Sequence, residues 1–129
     1  MASLKAEMIP MAKLIGVEVL ETSAEGVAGR LFARPDLCNS DGALHGGAIM
    51  TFADTLGAMA ALMSLPPEAK STTTLESKTN FLRGVAAGQT VLGRATPVHR
   101  GRRTSVWQTR IETEEGKLVA LVTQTQMTV

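Results

Sequence analysis

The sequence predicts an α+β domain in which one long central helix is wrapped by a five- to six-stranded antiparallel sheet, preceded by a short N-terminal helix. Three observations lead there. A single apolar stretch, residues 47–63, runs without proline for about five turns until Pro66 and Pro67 end it. The chain after residue 71 reads as four long strand segments, rich in Thr and Val and alternating in polarity. At 129 residues, with 44% apolar and 19% charged residues, the chain has the length of one domain, spanning 1–129, and enough apolar material for a core.

The elements follow in order. Leu4, Met8, Met11, Leu14 and Ile15 fall near helical spacing around residues 3–14, with Pro10 placed to kink or divide that helix. Segments 16–21 and 26–34 flank a polar turn cluster at 22–26, the pattern of a hairpin. Residues 35–44, PDLCNSDGAL, are dense in turn formers and read as a loop. The helix at 47–63 is apolar nearly all round, so it must be enclosed rather than lie on a surface. Strand segments 71–82, 89–99, 103–113 and 117–129 are separated by 84–88, 100–102 and 115–116, each short enough for an antiparallel hairpin. One helix covers one sheet face and still has an outer side to hide, which favours self-association.

Charge and motifs exclude several classes. Thirteen basic and twelve acidic residues give a net charge of +1, without the global field of a nucleic-acid binder. Stretch 46–65 approaches membrane-span length but carries Asp54 at its middle, so a buried helix is expected and no membrane partner. Cys38 is the lone cysteine and the N-terminus lacks secretory-signal features, which makes the cytoplasm the expected compartment. Two histidines, one cysteine and no HxxxH or CxxC spacing give no metal site, and neither GxGxxG nor a Walker loop occurs.

The chemistry concentrates in Asn39-Ser-Asp-Gly-Ala-Leu-His45-Gly46-Gly47 and in Asp54, the one charged residue of the long helix. Consecutive glycines at a helix start allow close approach and leave N–H groups pointing outward at the positive end of the dipole, which suits an oxyanion. They also serve a tight loop-to-helix transition, and both readings stand at this point. A carboxylate among Ile49, Met50, Phe52, Ala53, Leu56 and Met59 is costly to desolvate unless bonded, so Asp54 reads as a nucleophile or general base, against a structural carboxylate that caps a loop or pairs with Arg. Eight residues of helix span about 12 Å, too far for the Gly46 amide and the Asp54 carboxylate of one chain to bracket one carbonyl carbon. Two antiparallel helices across a two-fold axis would bring the amide of one chain to the carboxylate of the other.

His45 is equally a substrate-orienting group and a helix-start residue bonded to backbone, and Asn39 alone suits a turn. Arg94, His99, Arg100, Arg102 and Arg103 gather about one expected hairpin, either as a phosphate-binding cluster or as a solvated positive turn. Trp107 and Phe81 are expected in the core.

With Leu44-His45-Gly46-Gly47, Asp54, Asn39 upstream and the strand Thr74-Leu-Glu-Ser-Lys-Thr-Asn-Phe-Leu-Arg, the chain resembles the PaaI-like branch of hotdog-fold acyl-CoA thioesterases from about residue 16 to the end. The resemblance implies a curved sheet around the helix, homodimers with continuous sheets, and commonly a tetramer as a dimer of dimers. It implies that Gly46 supplies the oxyanion amide and that Asp54 acts as nucleophile or as the base activating water. Asn39 and His45 would assist at the substrate carbonyl, Thr74 would orient the water, and Arg102 and Arg103 would lie near coenzyme A phosphates. The substrate would be an acyl-CoA with a small, aromatic (phenylacetyl-like) or medium-chain acyl group, coenzyme A being part of the substrate and no cofactor being needed. Some relatives carry Glu and Gln where this chain has Asp54 and Asn39, and favour aromatic or naphthoyl-type acyl groups; the shorter pair points to the phenylacetyl-like subgroup. A hydratase or dehydratase on the same scaffold, or a non-catalytic acyl-CoA-binding protein, are the alternative readings.

Overall fold

A computed structural model describes residues 5–129. Ser3 and Leu4 of the expected N-terminal helix lie outside them. Pro10 divides that region as its chemistry requires: a 3₁₀ turn at Ala6–Met8 gives way to α1, Pro10–Ile15, with the proline in the first turn, where a missing N–H costs nothing. Gly16 then closes α1 in the left-handed conformation.

Strands β1 (Glu18–Ser23) and β2 (Gly26–Phe32) form the expected hairpin, but its turn is tighter than the polar cluster suggests, with Ala24 and Glu25 alone between the strands. A 3₁₀ turn at Pro35–Leu37 leads toward α2, Gly46–Met63, which stops three residues before Pro66. The remaining chain forms β3 (Thr72–Phe81), β4 (Thr90–Arg100), β5 (Thr104–Thr113) and β6 (Leu118–Thr128).

All six strands join one antiparallel sheet in the order β1-β2-β4-β5-β6-β3. Here one expectation is corrected. Segment 84–88 is short enough for a hairpin, yet β3 pairs with β6 at the far edge while β4 pairs with β2 and β5. Short length permits a hairpin without requiring one, and residues 85–88 instead bond to Ala33, Gly42 and Leu44 as the chain crosses over. Pro97 is tolerated within β4 because the β2 pairing ends at Ala95 and a bulge follows at Pro97/His99.

The core lies between α2 and the concave sheet face. Ile49, Phe52, Leu56 and Met59 of α2 meet Val27, Leu31, Val91, Trp107, Ile111 and Val122, all buried. Paired glycines seat the helix: Gly29 and Gly93 lie opposite each other on β2 and β4, and a Cβ on Gly93 would stand 2.8 Å from Leu56 and 3.0 Å from Phe52. The sheet encloses α2 on one side, not all round. Half of its residues are buried, and Met50 on the outer side is 39% exposed.

Candidate active site

The start of α2 is fixed by a loop that closes on itself. Cys38 and Leu44 form an antiparallel bridge, Asn39 N–H donates to Ala43 O at 2.8 Å, and the Asp41 carboxylate accepts from Ala43 N–H at 3.0 Å. Such side-chain-to-backbone bonds are why Asp and Asn favour turns. The closed loop is tied to the crossover segment by Leu44 N–H to Val85 O at 2.7 Å and Ala87 N–H to Gly42 O at 2.9 Å. His45 thus enters α2 with a defined direction, at φ −64° and ψ 135°, and caps it: its Nδ1 accepts from Gly47 N–H at 2.8 Å. An accepting Nδ1 leaves Nε2 as the proton-bearing nitrogen of the neutral ring.

Gly46 is the first residue of α2, and its N–H has no hydrogen-bond partner among the described residues. It is an orphan donor at the positive end of a long helix. The Phe81 ring, at the end of β3, stands over it, with one ring carbon 3.1 Å from where a Cβ on residue 46 would lie. Phe81 is therefore not a core residue as expected. It is 52% exposed and walls the helix start, whereas Trp107 is fully buried.

Asp54 follows about two turns along α2. Its expected enclosure by Phe52, Leu56 and Met59 is also corrected, because the helical period turns those side chains to the sheet while Met50, Asp54 and Ala58 share the opposite face. Asp54 is half-buried on the rim beside β3. There its Oδ1 accepts a hydrogen bond from the Thr74 hydroxyl at 3.0 Å, and its Oδ2 has no partner among the described residues. A bulge in the β3–β6 ladder between Thr74 and Glu76 places Thr74. It keeps Thr74 on the helix side, turns Leu75 and Glu76 outward, and restores Ser77 to the inner face.

The other candidate residues are placed but not gathered. Asn39 is exposed on the loop, and its side chain makes no hydrogen bond among the described residues. The basic cluster splits: Arg94 pairs with Glu21 at 2.9 Å, and Arg100 lies 5.5 Å over Trp107 and donates to Ala24 O. Arg102 and Arg103 are exposed in the β4–β5 turn with no carboxylate partner among the described residues. A concavity of about 420 Å³ lies on the outer sheet face around Leu92, Arg94 and Arg110, and one of about 280 Å³ lies between residues 5–7 and β1; neither is lined by Asp54 or Gly46. Among the described residues no three His, Cys, Asp or Glu side chains come together as metal ligands would.

Within one chain these residues therefore fall in two separate groups. His45, Gly46 and Phe81 form the first, and Asp54 with Thr74 the second, separated by eight residues of one helix or about 12 Å. An unpaired amide can stabilise an oxyanion and a carboxylate with one free oxygen can attack or take a proton, which are the two requirements of acyl transfer to water. Sequence reasoning missed Phe81 and also Gln124 and Gln126, which lie buried behind Thr74. A signal for the glutamines exists: they share the strand parity of Ala120 and Val122, so polar groups fall in the inward-facing positions of β6.

Residues 41–120 match the thioesterase superfamily. Protein Rv1847 of Mycobacterium tuberculosis is 31% identical over 114 residues, 87% of this chain and 81% of its own length. Its structure superposes with a TM-score of 0.90 at 28% identity, covering 94% of this chain and 97% of that one. Thioesterase HI1161 of Haemophilus influenzae superposes with a TM-score of 0.85 at 31% identity, covering 92% and 82%. A mutant of the phenylacetic acid degradation protein PaaI of Thermus thermophilus does so with 0.85 at 29%, covering 93% and 99%. With its helix-in-sheet fold, its unpaired Gly46 amide and its Asp54–Thr74 pair, the chain belongs to the thioesterase superfamily, as a hotdog-fold thioester hydrolase of the PaaI-like branch.

Proposed function

We propose that the chain hydrolyses acyl-CoA thioesters to free acid and coenzyme A, in sites shared between two protomers. The observation that carries this is the separation of the two groups: the Gly46 amide and the Asp54 carboxylate sit on one helix about 12 Å apart, so a second copy must complete each site. In a dimer with antiparallel α2 helices, Gly46 N–H of one protomer polarises the thioester carbonyl. Asp54 of the other attacks the carbonyl carbon or takes a proton from the water that does, and the thiol leaves. Thr74 and Asn39 orient the water and the carbonyl, and His45 presents its Nε2–H beside them. Arg102 and Arg103, exposed and free of carboxylates among the described residues, meet coenzyme A phosphates. The exposed outer face of α2 and the free edge of β3 are the surfaces a dimer would cover, and two dimers would build a tetramer.

The acyl group is small, or aromatic of phenylacetyl type, or of medium chain length, which the Phe81 ring beside Gly46 is suited to border. The reaction draws on no cofactor, coenzyme A arriving and leaving with the substrate, and a cytoplasmic setting follows from that supply. A thiol-trapping assay across short, medium, long and aromatic acyl-CoAs tests the reading, with the fastest release expected for aromatic or medium chains. Asp54→Asn should lower turnover by about 10²–10⁴-fold while the protein stays folded. Unimpaired release by that variant would reject the mechanism, and absence of thiol release from every acyl-CoA by the unaltered chain would reject the substrate class.

A further inference from the structure

Gln124 and Gln126 are fully buried on the sheet face that also carries Ala120, Val122, Trp107, Thr109 and Ile111. A buried primary amide is costly unless its nitrogen and oxygen are bonded, and both atoms of each side chain have a partner. Gln124 Nε2 donates to the backbone carbonyl of Ala53 at 3.2 Å, and Gln126 Nε2 donates to Gln124 Oε1 at 2.7 Å. The same Gln126 nitrogen donates to Thr74 Oγ1 at 2.7 Å, while Gln126 Oε1 accepts from the Thr72 hydroxyl at 3.0 Å. Thr74 in turn donates to Asp54 Oδ1. The chain of bonds starts at Ala53 and ends on the adjacent residue of the same helix.

Its direction has one solution. A backbone carbonyl only accepts, so Gln124 must turn its NH₂ to Ala53 and its oxygen to Gln126. Gln126 must then turn its NH₂ to Gln124, and the second hydrogen of that NH₂ points at Thr74. The Thr74 oxygen already accepts there, so its one hydrogen goes to Asp54. Reversing either amide would set two acceptors against each other. Room for this is made by Gly57, where a Cβ would lie 1.9 Å from Gln124 Nε2.

We infer that Gln126, braced by Gln124, is a positioning residue for catalysis: it locks the Thr74 hydroxyl as a donor to Asp54 Oδ1, so that the carboxylate is held as an acceptor with Oδ2 free for the reaction. The inference rests on the acyl-CoA hydrolase reading above and adds to it two residues that never touch substrate. Without the lock, Thr74 rotates and the carboxylate swings away from its working angle, and small misplacement of a reacting group can cost about 10²-fold in rate.

The test is a kinetic cycle on the whole chain with the acyl-CoA released fastest. Gln126→Met keeps the side-chain length and removes both donors. It should lower kcat about 10–100-fold with KM within about twofold, since the group acts on orientation rather than on binding. In a Thr74→Val background the same substitution should lower kcat no further, because the hydroxyl it controls is gone. In a Thr74→Ser background, which keeps the hydroxyl, the loss should reappear. If Gln126→Met fails to fold, Gln126→Glu serves, with the same shape but an oxygen where the donor stood. A folded variant with unchanged kcat, a loss confined to KM, or an additive loss in the Thr74→Val background overturns the inference and leaves the hydrolase reading standing. No thiol release from the unaltered chain overturns both.

Discussion

The residue at the head of α2 offers a clean way to delete one hydrogen. His45 at φ −64° and ψ 135° already has the extended conformation that a following proline demands, and position 46 is the first of the helix, where proline is favoured. Gly46→Pro should therefore keep the helix and remove the orphan N–H. The exposed Phe81 ring needs to give way by a few tenths of an ångström. Turnover is expected to fall about 10²–10³-fold, with a thermal midpoint close to that of the unaltered chain. Thr74→Val keeps shape and removes the donor to Asp54, a hydrogen bond to a charged group, so kcat should fall about 10–100-fold in steady-state thiol release. At this scale much was legible: Asp54 stood alone as a charge in an apolar helix, and His45-Gly46-Gly47 marked the helix start. Phe81 was not, because an aromatic residue at a strand end carries no mark of which side of the sheet margin it will cover. The half-buried state of Asp54 follows from helical phase, which its sequence neighbours conceal.

Among elements, the seat of α2 in the sheet sets the geometry of everything attached to it. Gly29 and Gly93 face each other across β2 and β4 and allow Phe52 and Leu56 to descend onto the strand backbones. Gly93→Ala places a methyl 2.8 Å from Leu56 and 3.0 Å from Phe52. Both side chains are fully buried and have nowhere to retreat. A destabilisation of about 1–3 kcal/mol is expected in denaturant unfolding, although alanine is the better strand residue. A gain in stability would mean the helix rides higher over the sheet than described. Strand identity and extent were readable from alternation within a residue or two, and Pro10 and Pro66 marked the helix limits by steric necessity. The partner of β3 was not, since a connection short enough for a hairpin is equally able to cross to another edge.

For the whole molecule, the shared-site reading makes a sharp demand on mixtures. Asp54→Asn and Gly46→Pro each disable both sites of a homodimer. In a mixed dimer, however, one site carries both lesions and the other carries neither. After unfolding and refolding the two inactive variants together, random pairing should restore about a quarter of the activity of the unaltered chain. If each chain housed its own complete site, the mixture would stay inactive at every ratio. Size-exclusion chromatography with light scattering on the same samples should show dimers or tetramers, and a fully active monomer would contradict the reading.

By itself the sequence determined one long helix carrying a lone carboxylate, four long strands after it, and a resemblance to the hotdog-fold thioesterases. Local rules suffice for these, because helix phase, strand alternation, proline and glycine act within a few residues of themselves. Only the tertiary structure decided that β3 lies against β6, that a bulge at Leu75 turns Thr74 toward Asp54, and that two buried glutamines stand behind that pair. Backbone hydrogen bonds are alike in every strand pairing, so strand order is selected by packing and loop closure over the whole chain.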